Sequence, residues 1–254
     1  MERLPRCARC GISCASCACL VCEPPAIERW LLGRMLARDG QFSSCEALGV
    51  DTEGRIVARG VADALGERWE PRSFIDRSRL LQGLEHEALG GIDVVGDEDG
   101  LSYRICRTPE EPTARAITAG GALSEDLVRG VAVSLLQALV VLHGDGLIHG
   151  NITLDTVHVG VDEARAVLVR PAAMAGDGDA ASDLSAVAWV LGSLLDERPV
   201  AGWRRAEGVK RLIVILLDPS MPTSARTALD VLQWPKSAHK HKRRRGRLPD
   251  GLVG

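Results

Sequence analysis

The residues best suited to hold a metal ion lie at the N-terminus. Six of the eight cysteines fall between residues 7 and 22, in three Cys-x-x-Cys pairs. The pairs are Cys7 with Cys10, Cys14 with Cys17, and Cys19 with Cys22. Such pairs suit tetrahedral thiolate coordination, with zinc as the first candidate. A zinc knuckle, another thiolate cluster and an iron–sulfur site all fit the spacing, and a reduced leader without metal is the alternative.

A second chemically suggestive stretch follows a long apolar helix pattern. Residues 146–159 read GLIHGNITLDTVHV, so His149 and Asn151 come soon after the apolar run 131–142. Histidine can exchange a proton near neutral pH. The amide of Asn151 cannot take up a proton at physiological pH. No lysine occurs before Lys210, so no lysine side chain is available to bind phosphate in the first 209 residues.

A basic run lies near the C-terminus. Residues 236–247, KSAHKHKRRRGR, contain seven Lys or Arg and no acid, and the other residues hold 24 basic and 34 acidic side chains. Such a run can bind nucleic acid through charge alone, but it has no aromatic residue for base stacking. We expect residues 236–254 to be a disordered tail, with nucleic-acid binding through 236–247 as the alternative.

Length and composition indicate a globular protein. The chain has 254 residues, of which 46% are hydrophobic, enough to bury a core without disulfides. The run 131–142 is shorter than the roughly 20 residues of a membrane span, and the N-terminus has no apolar signal segment. We therefore expect a cytoplasmic protein with no membrane partner. Arginine far outnumbers lysine, which points to a GC-rich bacterial genome.

Periodicity predicts a strand-rich part followed by a helix-rich part. Pro24-Pro25 separates both from the leader. The predicted strands are 54–61, 91–95 and 102–106, and the predicted helices are 74–84, 124–143, 184–195, 209–217 and 225–232. Asp183 is placed as the N-cap of the third of these helices. We expect Trp189, Trp203 and Trp234 in the core, and Cys45 and Cys106 as buried small hydrophobes.

Several segments of the chain, in order, resemble a known family. LIHGNITLDTVHV is similar to the catalytic loop His-Arg-Asp-x-x-x-x-Asn of eukaryotic-like (bacterial-type) Ser/Thr protein kinases. His149 takes the place of its His, Asn151 that of the catalytic Asp, and Thr156 that of the metal-binding Asn. Other resembling segments are the glycine-rich loop and third strand at 31–61, SDLSAVAWVLGSLL at 182–195 and LLDPSMPTSARTALDVL at 216–232.

The resemblance implies an α+β, two-lobe protein-kinase-like fold with a shortened activation segment. The kinase-like domain would span 30–235, with a small lobe at about 30–107 and a large lobe at about 113–235. A Cys-rich leader at 1–25 precedes it and the basic tail follows it. Between Arg170 and Asp183 only twelve residues remain, too few for a segment that orders on phosphorylation.

Residues that handle phosphate in the family are replaced here. Arg170-Pro171-Ala172 stands where the metal-binding Asp-Phe-Gly is expected. Gly60, beside Arg59, falls at the expected position of the third-strand lysine. Arg77, with Asp76 beside it, falls at the position of the paired glutamate on the helix. The phosphate-loop glycines become Ala37, Asp39 and Phe42, with Gly40 nearby.

His149 and Asp183 are retained, and the resemblance implies that they hold the catalytic loop. These substitutions predict a pseudokinase, a degenerate member of the family that acts as a regulatory or scaffolding module for another, signalling protein. A nucleotide could still bind without magnesium in a cleft near Gly40, Ala58, Cys106 and Thr108. One alternative is an active Ser/Thr kinase or other ATP-dependent transferase with non-standard residues. Another is a metal-dependent or nucleic-acid-associated regulator that uses the leader and the tail.

Overall fold

A computed structural model describes residues 26–38, 42–65, 71–98, 101–172, 178–196, 208–220 and 224–233. The strands are β1 (Ala26–Ile27), β2 (Trp30–Arg38), β3 (Phe42–Val50), β4 (Ile56–Leu65), β5 (Ile92–Glu98), β6 (Leu101–Arg107), β7 (Val157–Gly160) and β8 (Arg165–Leu168). The helices are α1 (Pro71–Gln82), α2 (Ala114–Thr118), α3 (Glu125–Gly144), α4 (Ala180–Leu194), α5 (Gly208–Leu217) and α6 (Ala225–Gln233). The α+β class predicted from the sequence is confirmed. The cysteine leader and the basic tail lie outside the described residues.

The N-terminal lobe is built on an antiparallel sheet of six strands in the order β1-β2-β3-β4-β6-β5. One apolar cluster of this sheet centres on Trp30, which is fully buried. Another includes Phe74 and Ile75 of α1 together with Leu65 of β4. Side chains alternate between the faces of a strand, so the sheet can place charged residues on one face while burying apolar residues on the other.

The two cysteines outside the leader lie in this sheet. Cys106 of β6 is buried, as predicted, whereas Cys45 of β3 is only half-buried. Burial raises the pKa of the Cys106 thiol to about 11. Burial and the nearby charges of Asp63 and Glu46 also raise the pKa of Cys45. Both thiols are therefore protonated at neutral pH and act as small side chains of the sheet.

The C-terminal lobe is a helical bundle around α3. Ser124 caps this helix, since its Oγ accepts a hydrogen bond from the backbone amide of Leu127 at 3.4 Å. Glu125 and Asp126 follow in the first turn, where the helix dipole favours acids. The fully buried side chains of α3 pack with α4, α5 and α6 in one apolar cluster. Strand β8, which pairs with β7, packs on the same helix.

Helix α3 also has the length and mean hydropathy of a membrane span. Its apolar side chains, however, lie inside the lobe: Val128, Val131, Ala132, Leu135, Leu136, Ala138, Leu139 and Leu142 are buried. A helix with most of its apolar residues packed against other helices is a core helix. The apolar character of α3 is therefore explained by the interior of the lobe.

Two predictions on α4 are wrong. Asp179, and not Asp183, is its N-cap, and Asp179 forms a capping box with Ser182. Asp183 lies inside the first turn, with its side chain buried. Trp189 is 60% exposed, because its neighbours Val187, Ala188, Val190 and Leu191 already form the buried face of the helix. Trp203 and Trp234 lie outside the described residues.

Gly130 allows α3 to approach the turn between β7 and β8. A Cβ atom at this position would overlap the carbonyl oxygen of Ala164. We expect Gly130→Ala to lower the free energy of unfolding by about 2 kcal/mol, as overpacking does elsewhere, measured by urea denaturation. Gly144→Ala on the same helix is the control. No heavy atom lies within 4 Å of its added Cβ, so a comparable loss there would contradict the steric explanation.

Candidate functional site

The small-lobe sheet presents a buried polar group towards the large lobe. Ser44, Asp63 and Arg104 lie on three adjacent strands and pair directly in the register of the sheet. The Ser44 hydroxyl donates to Asp63 Oδ1 at 2.7 Å. The Arg104 guanidinium donates to Asp63 Oδ2 at 3.3 and 3.4 Å. Arg104 also lies over the Phe74 ring, 5.8 Å from its centroid, a cation–π geometry.

The large lobe reaches this group through the segment after β8. Arg170 has a φ of 54°, a left-handed conformation that non-glycine residues adopt at some cost. Its Nη2 donates to Asp63 Oδ1 at 2.8 Å and to the Ser44 hydroxyl at 3.1 Å. Arg104 in turn donates to the Pro171 carbonyl. Asp63 is therefore shared by an arginine from each lobe, and we call Ser44, Asp63, Arg104 and Arg170 the interlobe cluster.

Arg77 of α1 makes a further connection between the lobes. Its Nε donates to the Ala172 carbonyl at 3.0 Å, and its Nη2 donates to the Ile148 carbonyl. Burial and the nearby charge of Arg104 lower the pKa of Arg77, against the charge of Asp183, which raises it. Asp76, the neighbouring residue, is exposed. At the helix position where the family resemblance predicts a glutamate, the inward side chain is thus a cation bound to backbone carbonyls.

Asp183 organises the loop at 147–156 from the first turn of α4. Its Oδ2 accepts from the His149 amide at 2.7 Å, and its Oδ1 accepts from the Gly150 amide at 2.8 Å. The ring Nε2 of His143 lies 3.0 Å from Oδ2. Burial raises the pKa of Asp183, but these hydrogen bonds outweigh burial and hold it below its ordinary value. The carboxylate is a loop anchor whose oxygen atoms are already in use.

His149 is fully buried beside this carboxylate. Its Nδ1 accepts from the Asn151 amide at 3.2 Å, so the ring serves the loop as an acceptor. Burial lowers the pKa of His149 to about 4, although the negative charge of Asp183 raises it. The ring is consequently neutral at physiological pH. It stabilises the loop conformation and is not exposed to a substrate.

Asn151 and Thr156 likewise close the loop onto itself. Asn151 Nδ2 donates to the Arg170 carbonyl at 3.0 Å. Thr156 Oγ1 donates to the Asn151 carbonyl at 2.6 Å and accepts from the Thr153 amide at 2.9 Å. These two residues hold backbone groups at the positions where the family resemblance predicts a proton acceptor and a metal ligand.

Three of the four residues expected near a nucleotide, Ala58, Cys106 and Thr108, are described by the structure and lie in or beside the small-lobe sheet. Cys106 is buried. The amide of Thr108 donates to the Arg59 carbonyl at 2.8 Å, and Ala58 is half-buried near the start of the same strand. Gly40 and Asp39 lie outside the described residues, as do the side chains of Ala37 and Phe42.

Asp63 was not singled out from the sequence. The family resemblance predicts the lysine position at Gly60, but Gly60 lies against Trp30 and the Cys106 carbonyl. Arg59, beside it, is exposed. The residue of β4 that contacts Arg170 is Asp63, three positions later. The sequence does contain a sign of this role. Asp63 is the only acid in the apolar strand segment GVADAL, and a buried carboxylate needs a cation or hydrogen-bond donors beside it.

The metal site expected at the N-terminus is not part of this arrangement. Across the described residues, no group of three or more His, Cys, Asp or Glu side chains could hold a metal ion. The leader cysteines fall outside that part of the chain, so the metal site stays a prediction for Cys7, Cys10, Cys14, Cys17, Cys19 and Cys22.

Within the described residues the site is a hydrogen-bonded set of arginines, carboxylates and backbone carbonyls, in which Arg104 Nη1, Arg170 Nε and His149 Nε2 are buried without a hydrogen-bond partner. Asp63 and Asp183 each accept several hydrogen bonds, and the arginines donate to backbone carbonyls. This set can hold two lobes together.

Comparison of structures identifies the fold. A Rad53 chain (residues 1–466, with AMP-PNP) superposes with a TM-score of 0.62 at 15% identity, covering 80% of this chain and 65% of that one. The PknI kinase domain of Mycobacterium tuberculosis, as its C20A_R136A variant, gives 0.61 at 16% identity, with 83% and 96% covered. The apo form of PpkA-294 gives 0.60 at 15% identity, with 82% and 98% covered. No family model matches the sequence, and no curated protein matches it. The chain has the protein-kinase-like fold that the sequence predicted.

The buried carboxylate of Asp63 should be important for stability. Asp63→Asn would leave Arg104, which is 2% exposed, without its ionic partner. Removing one member of a buried pair costs about 3–5 kcal/mol, so we expect a loss of that size in chemical denaturation. Asp155→Asn is the control, because the Arg115–Asp155 pair is exposed and should contribute less than about 1 kcal/mol. Equal losses in the two variants would contradict this role for Asp63.

The stability of the protein should fall on acidification before ordinary carboxylates titrate. Because folding lowers the pKa of His149 from 6.5 to about 4, the unfolded chain takes up a proton first. The free energy of unfolding should therefore decrease as the pH drops from about 6.5 to 4, by on the order of 3 kcal/mol. His149→Gln should remove this part of the pH dependence in denaturation curves recorded across the range. An unchanged slope in the variant would show that another group is responsible.

Proposed function

Since the chain has the fold of a protein kinase domain, we propose that it is a catalytically inactive relative that acts as a regulatory or scaffolding binding module. The observation that carries this proposal is the ion pair between Asp63 and Arg170 across the lobes. In active kinases a lysine and a magnesium-binding aspartate serve the phosphates from the corresponding strand and loop. In this chain the charges are reversed: the strand carries the acid Asp63 and the loop carries the cation Arg170. The two side chains neutralise each other.

Charge explains why this exchange opposes the family reaction. A carboxylate on the small-lobe strand repels the phosphates of a nucleotide, and a guanidinium at Arg170 repels magnesium. Both groups would have to leave a buried, hydrogen-bonded pair before they could accept a ligand, which is costly. Any nucleotide in this cleft would meet arginines instead of a metal ion, so its binding would be independent of magnesium.

The catalytic loop supports the same proposal. The amide of Asn151 has no basicity to accept a proton from a substrate hydroxyl, and its nitrogen already binds the Arg170 carbonyl. At the same time Asp183 and His149 keep the loop ordered through buried hydrogen bonds. An ordered loop that lacks a catalytic proton acceptor suits a binding module, because an ordered surface loses little entropy when a partner binds.

Activity and ligand measurements test the proposal directly. We expect no transfer of phosphate from magnesium-ATP to protein or peptide substrates. ATP should shift the melting temperature equally with magnesium and with a chelator, because the described residues contain no group of three or more His, Cys, Asp or Glu side chains that could hold a metal ion. Asn151→Asp alone should restore no activity, since Asp63 and Arg170 remain paired. Magnesium-dependent stabilisation together with phosphotransfer in the purified wild-type protein would overturn the proposal.

A further inference from the structure

A cavity of about 250 Å³ lies between the loop at 148–153, helix α1 and the start of α4. Its walls include Ile148 and Ile152 from the loop, Ala172 from the segment after Arg170, and Ala186 from α4. Arg77 of α1 also lines it. Small-molecule sites usually occupy about 300–1,000 Å³. The cavity is therefore small for a cofactor and better matched to a side chain inserted by another polypeptide.

Arg77 gives this cavity a charge preference. The residue is 8% exposed, and its Nε and Nη2 bind backbone carbonyls. Its remaining Nη1 has no hydrogen-bond partner among the described residues, and no acid of those residues forms an ion pair with Arg77. Asp183 also lines the cavity and its nearby charge raises the pKa of Arg77, but its two oxygens accept from the amides of His149 and Gly150 and not from Arg77. A carboxylate brought by a ligand would offset the buried cation.

The apolar surface continues from the cavity along α4. Ser182 and Ala186 line the cavity, and Trp189 follows Ala186 by three residues, roughly 4.5 Å along the helix axis and on the same side. Trp189 is 60% exposed. Tryptophan and arginine beside a pocket are the residue types that contribute most to protein interfaces. The cavity and Trp189 together form what we call the α4 surface.

We propose that the α4 surface docks a partner protein through a segment that carries a carboxylate next to an aliphatic side chain. The aliphatic side chain fills the cavity, the carboxylate pairs with Arg77, and the flanking residues cover Trp189. This inference rests on the proposed function, because it names the surface through which an inactive kinase-like module engages its partner.

A library of random twelve-residue peptides displayed on phage, selected against the full-length protein, provides the probe. We expect enrichment of peptides with Asp or Glu beside Leu, Ile or Val. A synthetic peptide from the selection should lose about tenfold or more in affinity when its acid becomes the amide, measured by fluorescence anisotropy. Selection without such a pattern, or equal affinity of the acid and amide peptides, would overturn the proposal.

Three substitutions localise the binding. Ala186→Trp fills the cavity, Trp189→Ala removes the exposed anchor, and Arg77→Gln removes the cation. Each substitution should lower the affinity for the peptide by about tenfold or more. Ala116→Trp, an exposed position on α2, is the matched control and should bind normally. Arg77 also supports the loop, so Arg77→Gln could unfold the protein. In that case the two α4 variants, Ala186→Trp and Trp189→Ala, still test the proposal. Peptide binding unaffected by both α4 variants would place the peptide elsewhere and refute the assignment.

Other occupants give different results. Concentration-dependent dimerisation abolished by Ala186→Trp would assign the surface to a second copy of the chain. Tighter peptide binding after replacement of residues 173–177 by glycine and serine would mean that the chain itself competes for the cavity. Either result would overturn the partner proposal. Phosphotransfer would contradict the inactive-kinase proposal whether or not peptides bind, whereas failed selection with silent activity assays would remove only the docking surface.

Discussion

One buried carboxylate, that of Asp63, joins side chains from both lobes. Asp63 accepts hydrogen bonds from Ser44 and Arg104 on its own sheet and from Arg170 on the other lobe. It is 4% exposed, and a carboxylate so far from water is stable only when cations and hydroxyls replace its hydration. Because those partners come from neighbouring strands and from the segment after β8, satisfying one acid sets the position of the sheet relative to the catalytic loop.

The arginines around Asp63 extend this constraint to the loop backbone. Arg104 binds the Pro171 carbonyl, and Arg77 binds the carbonyls of Ala172 and Ile148. From the opposite side, Asp183 binds the amides of His149 and Gly150. The catalytic loop is thus held by cations at its carbonyls and by an acid at its amides. In an active kinase a bound nucleotide and metal contribute to this organisation; here side chains of the protein make these contacts.

The loop at 147–156 is held by side chains of the protein itself. The retained pair His149 and Asp183 supports the loop, while Asn151 and Thr156 turn inward to bind backbone groups. The loop residues Gly150 and Asn151 also line the small cavity, together with Arg77 and Ala186. The exposed Trp189 follows Ala186 on α4. The hydrogen bonds that hold the loop therefore also fix one wall of this cavity.

Periodicity and motif order in the sequence determined the α+β class, the helices near 125–144, 208–217 and 225–233, and the absence of a carboxylate at Asn151 and Arg170. These features depend on local spacing and residue type. Only the tertiary structure decided that Asp63, and not Gly60, faces Arg170, since strand pairing depends on residues distant in sequence. It also placed Asp183 inside α4 and Trp189 on its surface. Which side of an apolar helix is covered depends on the neighbours that pack against it, and a linear pattern does not contain those neighbours.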